Sequence, residues 1–380
     1  MRITMRIGHS LMTPTSPGDG VLVTQELGPH VTSLSWSWDA RGPAAATVGM
    51  SRPGRSPVVG ILPADMAIPE QAHVELWAGT TLLWDGFVAE VERGQGGVIT
   101  ALSLAGYMAS LDDIEWDYTG YGAATSGRLM LERMLTERAP WLGPDTSGRW
   151  IDPLVTLGTL DSYQGQMVGQ IVETIRNAGD VATNLLWLLA RPGRSVVLEP
   201  RIAPTEPHYR TAFDPQRITR WRELHGETAR AVRVRYGTTA SPATTGLAAN
   251  PDSGSYRVVT VQAGDIGAAA AVALRDVELA RRAQPRVAAT LGASRDVRTW
   301  LAASGGQPVP WWQPVVSEWV AVAGYPPLPI VATTMDGIAE TATYELGERD
   351  LTLAQNRGLV QRQMSYRYQT MTAPAGGRLR

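Results

Sequence analysis

The chain has 380 residues, with 34 basic and 36 acidic side chains and a formal net charge of −2. At about 100–200 residues per domain, this length predicts two to four domains. Near-zero net charge argues against a protein that coats nucleic acid or binds membranes through basic clusters. Cysteine and lysine are absent, which excludes disulfides, thiolate metal sites, a P-loop lysine and a Schiff-base lysine. Charged residues make up only 18%, below the roughly 25% of soluble domains, so we expect much surface to lie in subunit contacts.

The sequence predicts neither a secretory signal nor a membrane span. The N-terminus lacks the apolar run and cleavage site of a signal peptide. The longest apolar stretches, Val181–Ala190 and Ala268–Leu274, are far shorter than the roughly 20 residues that cross a bilayer. We therefore expect a protein made in the cytoplasm with no stable membrane insertion.

The first hundred residues have the pattern of an antiparallel β domain. Alternation over Thr32–Asp39 places Trp36 and Trp38 on one face of a strand. Three more predicted strands follow, joined by tight turns: His73–Trp77, Leu82–Val91 and Val98–Leu104. A meander of this kind suits a small barrel or sandwich, and we assign residues 1–110 to a first β-barrel.

Residues 111–213 have the pattern of an α+β domain. A first helix is predicted over Gly127–Ala139 and a second over Gly165–Asn177, with Asp161 and Ser162 as start signals. Their predicted apolar faces are formed by Leu131, Met134 and Leu135 in the first helix and by Met167, Ile171 and Ile175 in the second. A β-hairpin is predicted over Trp187–Ala190 and Ser195–Leu198.

A β pattern returns after residue 213. Arg230–Tyr236 is a predicted strand, and a helix capped by Asp265 is predicted to end at Ala283. The predicted buried stripe of that helix is formed by Ala270, Leu274 and Val277. Later predicted strands are Val315–Val322, Ile330–Thr334, Ile338–Leu346, Asp350–Leu353 and Met364–Tyr368. We assign residues 214–240 and 308–368 to a second β-barrel, residues 241–307 to an inserted helical domain and residues 369–380 to a flexible tail. The predicted fold class is a β-rich α+β multidomain protein.

The search for catalytic and metal-binding motifs nominates no residue. The five histidines, His9, His30, His73, His208 and His225, have no metal-ligand spacing, and the G-x-S-x-G motif of hydrolases is absent. The glycine-rich segment Gly120–Gly127 misses the spacing of a dinucleotide-binding loop. We interpret it as an interdomain linker that leads into a helix. We expect no catalytic, cofactor or metal residues.

Two charged clusters have competing interpretations. Asp112, Asp113, Glu115 and Asp117 do not have the order of a calcium loop, so a solvated domain junction is the favoured interpretation over a carboxylate pair for glycoside hydrolysis. The arginine-rich stretch Arg217–Arg235 could contact passing DNA or an acidic partner. The solvated face of a strand is its favoured interpretation.

The chain has 13 tryptophans and only 2 phenylalanines. Tryptophans in predicted strands are expected in the core: Trp36, Trp38, Trp77, Trp84 and Trp319. Trp116, Trp311 and Trp312 are predicted to lie in loops and are the candidates for exposure. Exposed indoles would favour a glycan-binding platform.

Three segments carry a resemblance to a known family. Ala72–Trp77, Leu83–Val91 and Ile99–Tyr107 form a strand, a turn, an L-W-x-G-x-V strand, another turn and a strand that ends in G-Y. The order of a barrel, an α+β domain and an interrupted second barrel covers nearly the whole chain. This pattern resembles the baseplate hub or tail-tip hub proteins of tailed bacteriophages, which are also called minor tail proteins.

The resemblance implies a structural virion protein of the tail tip or baseplate, with no cofactor. Its two antiparallel barrels would be of tail-tube type, and three copies would form a ring that adapts the sixfold tail tube to a threefold tip. The implied partners are two further copies, distal tail or tail-tube proteins above, a central fibre or tip protein below and the tape-measure protein in the lumen. DNA would pass through the ring transiently during genome ejection. Many hubs carry a C-terminal peptidoglycan-degrading extension, for which residues 369–380 leave no room, so we expect no enzyme activity.

Two alternatives stay open at this point. One is a distal tail or adhesin-carrier component that forms a hexameric ring. The other is a glycan-binding or hydrolytic tail protein, which would require rows of exposed tryptophan and a carboxylate pair in a cleft.

Overall fold

The computed structural model describes residues 3–10, 21–27, 31–50, 67–69, 71–94, 97–120, 125–153, 156–157, 160–178, 186–211, 217–224, 228–237, 241–250, 256–262, 268–282, 286–295, 302–303 and 309–347. Within these residues the fold is mostly antiparallel β with four α-helices. The predicted strands Asp350–Leu353 and Met364–Tyr368 and the predicted tail lie outside the described residues.

The N-terminal third consists of seven strands and one short helix. They are β1 (Ile3–Ser10), β2 (Val21–Leu27), β3 (Val31–Asp39), β4 (Gly42–Met50), β5 (Ala72–Ala78), β6 (Thr81–Arg93), β7 (Ile99–Ala105) and α1 (Tyr107–Ser110). The predicted strands correspond to β3, β5, β6 and β7, whereas β1, β2 and β4 were not predicted.

The middle third contains two longer helices and a hairpin. Its elements are β8 (Thr125–Ser126), α2 (Gly127–Arg138), β9 (Gly143–Pro144), β10 (Thr156–Leu157), α3 (Val168–Ala178), β11 (Leu186–Arg191) and β12 (Ser195–Pro200). We call this part, residues 107–200, the α+β unit.

The remainder is again rich in strands. Its elements are β13 (Tyr209–Thr211), β14 (Ile218–Leu224), β15 (Ala231–Tyr236), β16 (Ala243–Thr244), β17 (Ala248–Ala249), β18 (Val258–Gln262), α4 (Ala268–Arg281), β19 (Arg286–Ser294), β20 (Ala302–Ala303), β21 (Trp319–Val322), β22 (Leu328–Asp336) and β23 (Thr341–Gly347).

One sheet of fourteen strands unites the first and last thirds of the chain. Its order is β14-β19-β23-β22-β3-β4-β7-β6-β5-β1-β2, and β13, β20 and β21 branch from it beside β22. The two halves meet where β22 pairs with β3 in antiparallel register, with Thr333 opposite Trp38 and Met335 opposite Trp36. The halves are therefore joined by backbone pairing as well as by side-chain packing.

The core beneath this seam is built on tryptophan. The predicted alternation in β3 is confirmed, since Trp36 and Trp38 are each only 1% exposed. Trp36 packs against Trp311 from the last third, with ring centroids 6.1 Å apart. Large aromatic rings bury much apolar area, so this pair couples the two halves energetically.

The helices of the α+β unit follow the predicted pattern in part. The predicted face of α2 is confirmed, because Leu131, Met134 and Leu135 are buried, and the Ser126 hydroxyl caps the helix by accepting the Leu129 N–H at 3.3 Å. The second helix differs from prediction. It begins at Val168, whereas the predicted start signals lie in a separate 3₁₀ turn, Leu160–Tyr163.

The face of α3 also differs at one predicted residue. Ile171 and Ile175 are buried, but Met167 precedes the helix and is 37% exposed. The N–H of Val168 instead donates to the carbonyl of Ile114 at 2.7 Å. This bond gives a partner to one of the first N–H groups of the helix, which have no acceptor within the helix itself.

The β11–β12 hairpin lies between two apolar cores. Trp187 and Leu189 face the core of the large sheet, whereas Leu188 and Ala190 face the core of the α+β unit. A strand that is buried on both faces reads as a continuous apolar run, as Leu186–Ala190 does. The predicted hairpin is confirmed.

A small separate sheet accounts for the insertion. β15 pairs with β16 and β17 on one side and with β18 on the other, and α4 packs on it. The predicted boundaries placed β15 in the second barrel and residues 286–294 in the insertion, and the pairing differs at both places. β15 buries Val232 and Val234 under the helix that follows it, while β19 joins the large sheet. Of the predicted helix stripe, Leu274 is half-buried, and the side chains of Ala270 and Val277 lie outside the described residues.

Candidate functional site

The large sheet ends in two strands at opposite ends of its order. Within the part of the chain that the structure describes, β2 pairs only with β1 and β14 pairs only with β19. An unpaired strand edge presents backbone N–H and C=O groups that another strand can bind. The two edges are therefore the candidate assembly site of this protein.

The β14 edge is rigidly supported. The Trp221 ring lies against the Tyr325 ring with centroids 4.1 Å apart, and Ile218 is buried in the core of the large sheet. Thr219 and Arg222 are exposed, and the Thr219 hydroxyl donates to the Thr290 carbonyl of β19 at 3.3 Å. A partner strand would thus meet a fixed backbone with polar side chains beside it.

A second feature is the junction between the large sheet and the α+β unit. β5 is buried on both faces over Ala72–Leu76 and β6 over Leu83–Val88, because the α+β unit covers the outer face there. Five polar side chains at this junction are at least nine-tenths buried. His73, Glu75 and Asp85 come from the sheet, and Tyr107 and Arg194 come from the α+β unit.

Hydrogen bonds link three of these buried groups, Tyr107, His73 and Glu75, in series. The Tyr107 hydroxyl donates to Nδ1 of His73, and Nε2 of His73 lies 2.9 Å from Oε1 of Glu75. This arrangement fits the tautomer with the ring proton on Nε2. The Trp77 indole N–H donates to the other Glu75 oxygen at 2.7 Å. Since the bonded residues come from β5 and α1, this series of hydrogen bonds ties the α+β unit to the sheet.

Asp85 is the central acid of the junction and is fully buried. Its Oδ2 accepts the Gly193 backbone N–H at 2.8 Å. Burial and the nearby Glu75 raise the pKa of Asp85 from 3.8 to about 7, against the lowering effect of the Gly193 bond and of Arg194. Burial likewise holds the pKa of Tyr107 well above its usual value. The junction can therefore hold or release a proton near neutral pH.

The β3–β4 turn forms a further contact with the α+β unit. Arg41 makes a two-pronged hydrogen bond to the Asp112 carboxylate, at 2.7 and 2.9 Å, and also donates to the Met108 carbonyl at 2.8 Å. Gly42 next to it has φ +108°, and a Cβ there would lie 2.1 Å from the Ala190 carbonyl oxygen. Only glycine permits this close approach.

The α+β unit also contacts the last third of the chain. Arg149 and Arg191 each donate to the Ser317 hydroxyl, at 2.9 and 3.0 Å. Arg149 pairs with Glu199 as well. Burial and the charge of Arg149 lower the pKa of Arg191. The contact is thus a cluster of opposite charges that holds the loop before β21.

The acidic cluster lies at the junction, as its favoured interpretation predicted. Asp112 pairs with Arg41, and Asp117 pairs with Arg138. Asp113 and Glu115 are exposed. In the described ranges no group of three or more histidine, aspartate or glutamate side chains is placed to hold a metal ion.

The expectation that the loop tryptophans are exposed is wrong. Trp116 is fully buried and Trp311 is 7% exposed, while Trp312 is partly buried against the same core. Trp116 packs on Tyr118 with ring centroids 5.4 Å apart. These indoles fill cores because the neighbouring loops pack back on the sheets, so they provide no platform for sugar stacking.

The histidines and the glycine-rich segment have structural positions. His73 belongs to the buried chain of hydrogen bonds, and Nδ1 of His208 accepts the Trp319 backbone N–H at 3.2 Å. His30, His225 and residues 121–124 lie outside the described residues, as does the side chain of His9. Gly127, the last residue of the glycine-rich segment, begins α2, as predicted.

The arginine-rich stretch divides between two sheets. Arg220 and Arg222 are exposed on β14, and Arg233 and Arg235 are exposed on β15. This agrees with the interpretation as solvated strand faces.

The buried charges Asp85 and Arg194 could not be predicted, because they lie in strand and turn patterns that are typical of exposed positions. Among the described residues, no helix has the length and apolar character to cross a membrane.

Comparison of the fold with solved structures gives long matches to phage tail proteins. The 43 kDa tail protein of prophage MuSo2 from Shewanella oneidensis matches with a TM-score of 0.58 and 12% identity, over 91% of this chain and 98% of that chain. Prophage tail protein gp18 from Listeria monocytogenes EGD-e matches with a TM-score of 0.56 and 10% identity, over 95% and 100%. The tail protein from Neisseria meningitidis MC58 matches with a TM-score of 0.55 and 13% identity, over 91% and 96%.

The chain therefore has the fold of phage tail proteins. The matches span nearly the full length of each partner, so the resemblance found in the sequence is confirmed at the level of the whole fold. No protein-family model matches the sequence, and no curated protein matches it.

Proposed function

We propose that this chain is a structural subunit of the tail tip or baseplate of a tailed-phage particle. Three copies form a ring that adapts the sixfold tail tube to a threefold tip and forms part of the channel for DNA ejection. The fold shared with phage tail proteins supports a tail role. The observation that carries the ring is the pair of edges, β2 and β14, at opposite ends of the order of one continuous sheet, each with a single partner strand among the described residues.

The edges favour a ring over a dimer of like surfaces. When the β14 edge of one copy binds the β2 edge of the next, every copy uses two different surfaces, and such contacts close into a ring when the rotation allows it. Ring closure also pairs these two edges, which would otherwise be open to aggregation. The low charged fraction of 18% suits a chain whose surface is largely interface.

In this proposal the two barrel-like regions are the two halves of the large sheet. The first comprises β1–β7, and the second comprises β14, β19 and β21–β23 with the strands beside them. The α+β unit braces both halves, through Asp85 on one side and Ser317 on the other. The small sheet of β15–β18 with α4 is the insertion in the second region. Its position in the chain, between β14 and β19, supports the predicted order of domains.

The proposed setting is the virion, with tail-tube or distal tail proteins above the ring and a fibre or tip protein below it. The tape-measure protein and then DNA would occupy the lumen. We propose a structural role without enzyme activity, since the shared fold is that of tail proteins.

The first test is the mass of the purified full-length protein by light scattering after size exclusion, over a range of concentrations. A species near three times 41.0 kDa is expected. A stable hexamer would overturn the threefold ring and favour the distal-tail alternative.

Cross-linking tests which edges meet. Because the sequence has no cysteine, only the introduced cysteines can react. Thr24→Cys on β2 and Thr219→Cys on β14 are combined in one chain and treated with a short bifunctional maleimide. The double variant should give covalent species up to the trimer and none larger, and each single variant should stay monomeric on a denaturing gel. A dimer from a single variant would show that like edges meet, and no cross-link with a monomeric mass would refute the ring.

A further inference from the structure

The small sheet has one covered face and one open face. α4 covers the face that carries Val232 and Val234, both fully buried. Because side chains alternate along a strand, Arg233 and Arg235 point to the opposite face, and both are exposed. No described element packs on that opposite side of β15.

Neighbouring strands add polar groups to the open face. In the parallel register Thr260 lies beside Arg233 and Gln262 lies beside Arg235, and both are exposed. Thr244 of β16 flanks Arg235 on the other side and is also exposed. The centre of the open face is therefore cationic and rich in hydrogen-bonding groups, with no apolar side chain in the middle.

The two arginines are available to an anion. The Nε of Arg233 donates to the Thr260 hydroxyl at 2.9 Å, which orients the guanidinium and leaves its two terminal nitrogens for a ligand. Arg235 has no ion pair among the described residues. Other exposed arginines are paired, such as Arg295 with Glu340 at 2.9 Å. Within the described part of the chain, the open face thus has a positive charge that no acidic side chain neutralises.

We propose that this open face, formed by Arg233, Arg235, Thr244, Thr260 and Gln262, contacts the phosphate backbone of double-stranded DNA. Side chains two positions apart on a strand are separated by about 6.6–6.8 Å, so the two guanidinium groups can bind different phosphates of one strand. Arginine and hydroxyl or amide side chains are typical phosphate contacts, and they carry no sequence preference.

The composition of the open face favours DNA over an acidic protein. Protein interfaces gain most of their affinity from a central apolar or aromatic cluster, and here the centre is polar. The exposed Val258 lies at one end of the face. A weak, sequence-independent contact also suits DNA that must slide past the protein surface. The inference rests on the proposed function for this setting, because a channel subunit meets DNA during ejection.

The test is the binding of the purified full-length protein to a fluorescently labelled DNA duplex, measured by anisotropy at a series of salt concentrations. Each phosphate contact contributes about −0.9 to the slope of log K against log salt. The double variant R233Q/R235Q should therefore have a slope smaller in magnitude by about 1.8. Its loss of affinity relative to the wild type should grow about twelvefold when the salt concentration is lowered from about 200 mM to about 50 mM. Circular dichroism should show both proteins equally folded.

The matched control removes the same net charge elsewhere. R210Q/R295Q deletes two exposed arginines that pair with Glu206 and Glu340, and it should bind the duplex as the wild type does. An equal loss in this control would refute the proposal, since net charge alone would then explain binding. Absence of duplex binding by the wild type would also refute it.

Two further outcomes separate the possible partners and the two proposals. If polyglutamate binds more tightly than the duplex and R233Q/R235Q abolishes that binding, the partner is an acidic protein and the DNA proposal is wrong. The light-scattering mass of the same sample gives the number of copies in the ring, independently of DNA binding. A trimer that ignores DNA overturns this inference alone, whereas a hexamer that binds DNA overturns the threefold ring alone.

Discussion

The Asp85 carboxylate accepts a 2.8 Å hydrogen bond from the backbone N–H of Gly193, 108 residues further along the chain. This bond joins β6 to the turn of the β11–β12 hairpin, so one buried acid couples the large sheet to the α+β unit. Around it lie Glu75 and Arg194, also buried. A carboxylate in such surroundings makes the stability of the junction depend on pH.

Asp85→Asn should flatten the pH dependence of stability. The pKa of Asp85 is about 7 in the folded protein and 3.8 in the unfolded chain, so the folded form retains the proton longer. The contribution of protonated Asp85 to the free energy of unfolding is therefore fully present below pH 3.8. It is lost as the pH rises to about 7, which lowers the free energy of unfolding by up to about 4 kcal/mol. Asparagine has no proton to lose and can still accept the Gly193 N–H. Urea unfolding of both proteins from pH 4 to pH 8 measures the difference.

The variant should gain stability relative to the wild type as pH rises through this window. Asp113→Asn, at an exposed carboxylate near the same junction, is the control for the chemistry of the substitution. Parallel curves for Asp85→Asn and the wild type would show that Asp85 is not the group that titrates.

Gly42→Ala should destabilise the same junction by about 3 kcal/mol or more, because strain at positive φ adds to a steric clash. The new Cβ would lie 2.1 Å from the Ala190 carbonyl oxygen, which is backbone and cannot rotate away. Gly79→Ala is the matched control: it has φ +59° and no atom within 4 Å, so it should cost about 1 kcal/mol. Equal losses in thermal unfolding would contradict the close approach of β4 and β11.

Much of the fold could be predicted from local pattern. Strand alternation located β3, and helical periodicity located α2, because in both cases one face is buried and the other is solvated. β4 was missed because Gly42–Met50 is rich in alanine and glycine, which have low strand propensity. Its strand conformation depends on pairing with β3 and β7, which is tertiary information.

The candidate sites were less predictable. The seam between β22 and β3 joins segments about three hundred residues apart, and no local pattern encodes that pairing. Asp85 lies within the L-W-x-G-x-V strand, where alternation suggests a solvated residue, and only the packing of the α+β unit buries it. β15 was assigned to the wrong sheet by its alternation, since a helix or a second sheet can cover the same apolar face.

The Arg41–Asp112 pair should contribute a measurable coupling energy. Its two hydrogen bonds are 2.7 and 2.9 Å long, and two-pronged arginine–carboxylate pairs are stronger than single contacts. Asp112 is half exposed, so we expect only about 0.5–1 kcal/mol. A double-mutant cycle of Arg41→Ala and Asp112→Ala by urea unfolding measures it. Arg41→Lys should recover little, because lysine cannot form the two-pronged bond. A coupling of zero would mean that Arg41 acts through the Met108 carbonyl and Glu173 and not through Asp112.

Trp36→Ala should weaken both halves of the large sheet together. Trp36 is 1% exposed, lies opposite Met335 across the seam and packs against Trp311. Truncating a buried aromatic side chain costs about 3–5 kcal/mol. Because the cavity would open beneath the seam, amides of β3 and of β22 should lose hydrogen-exchange protection by similar factors. Trp312→Ala, at a partly buried neighbour, should have a smaller effect. Loss of protection in β3 with β22 unchanged would show that the two halves are stable independently and that the seam does not couple them.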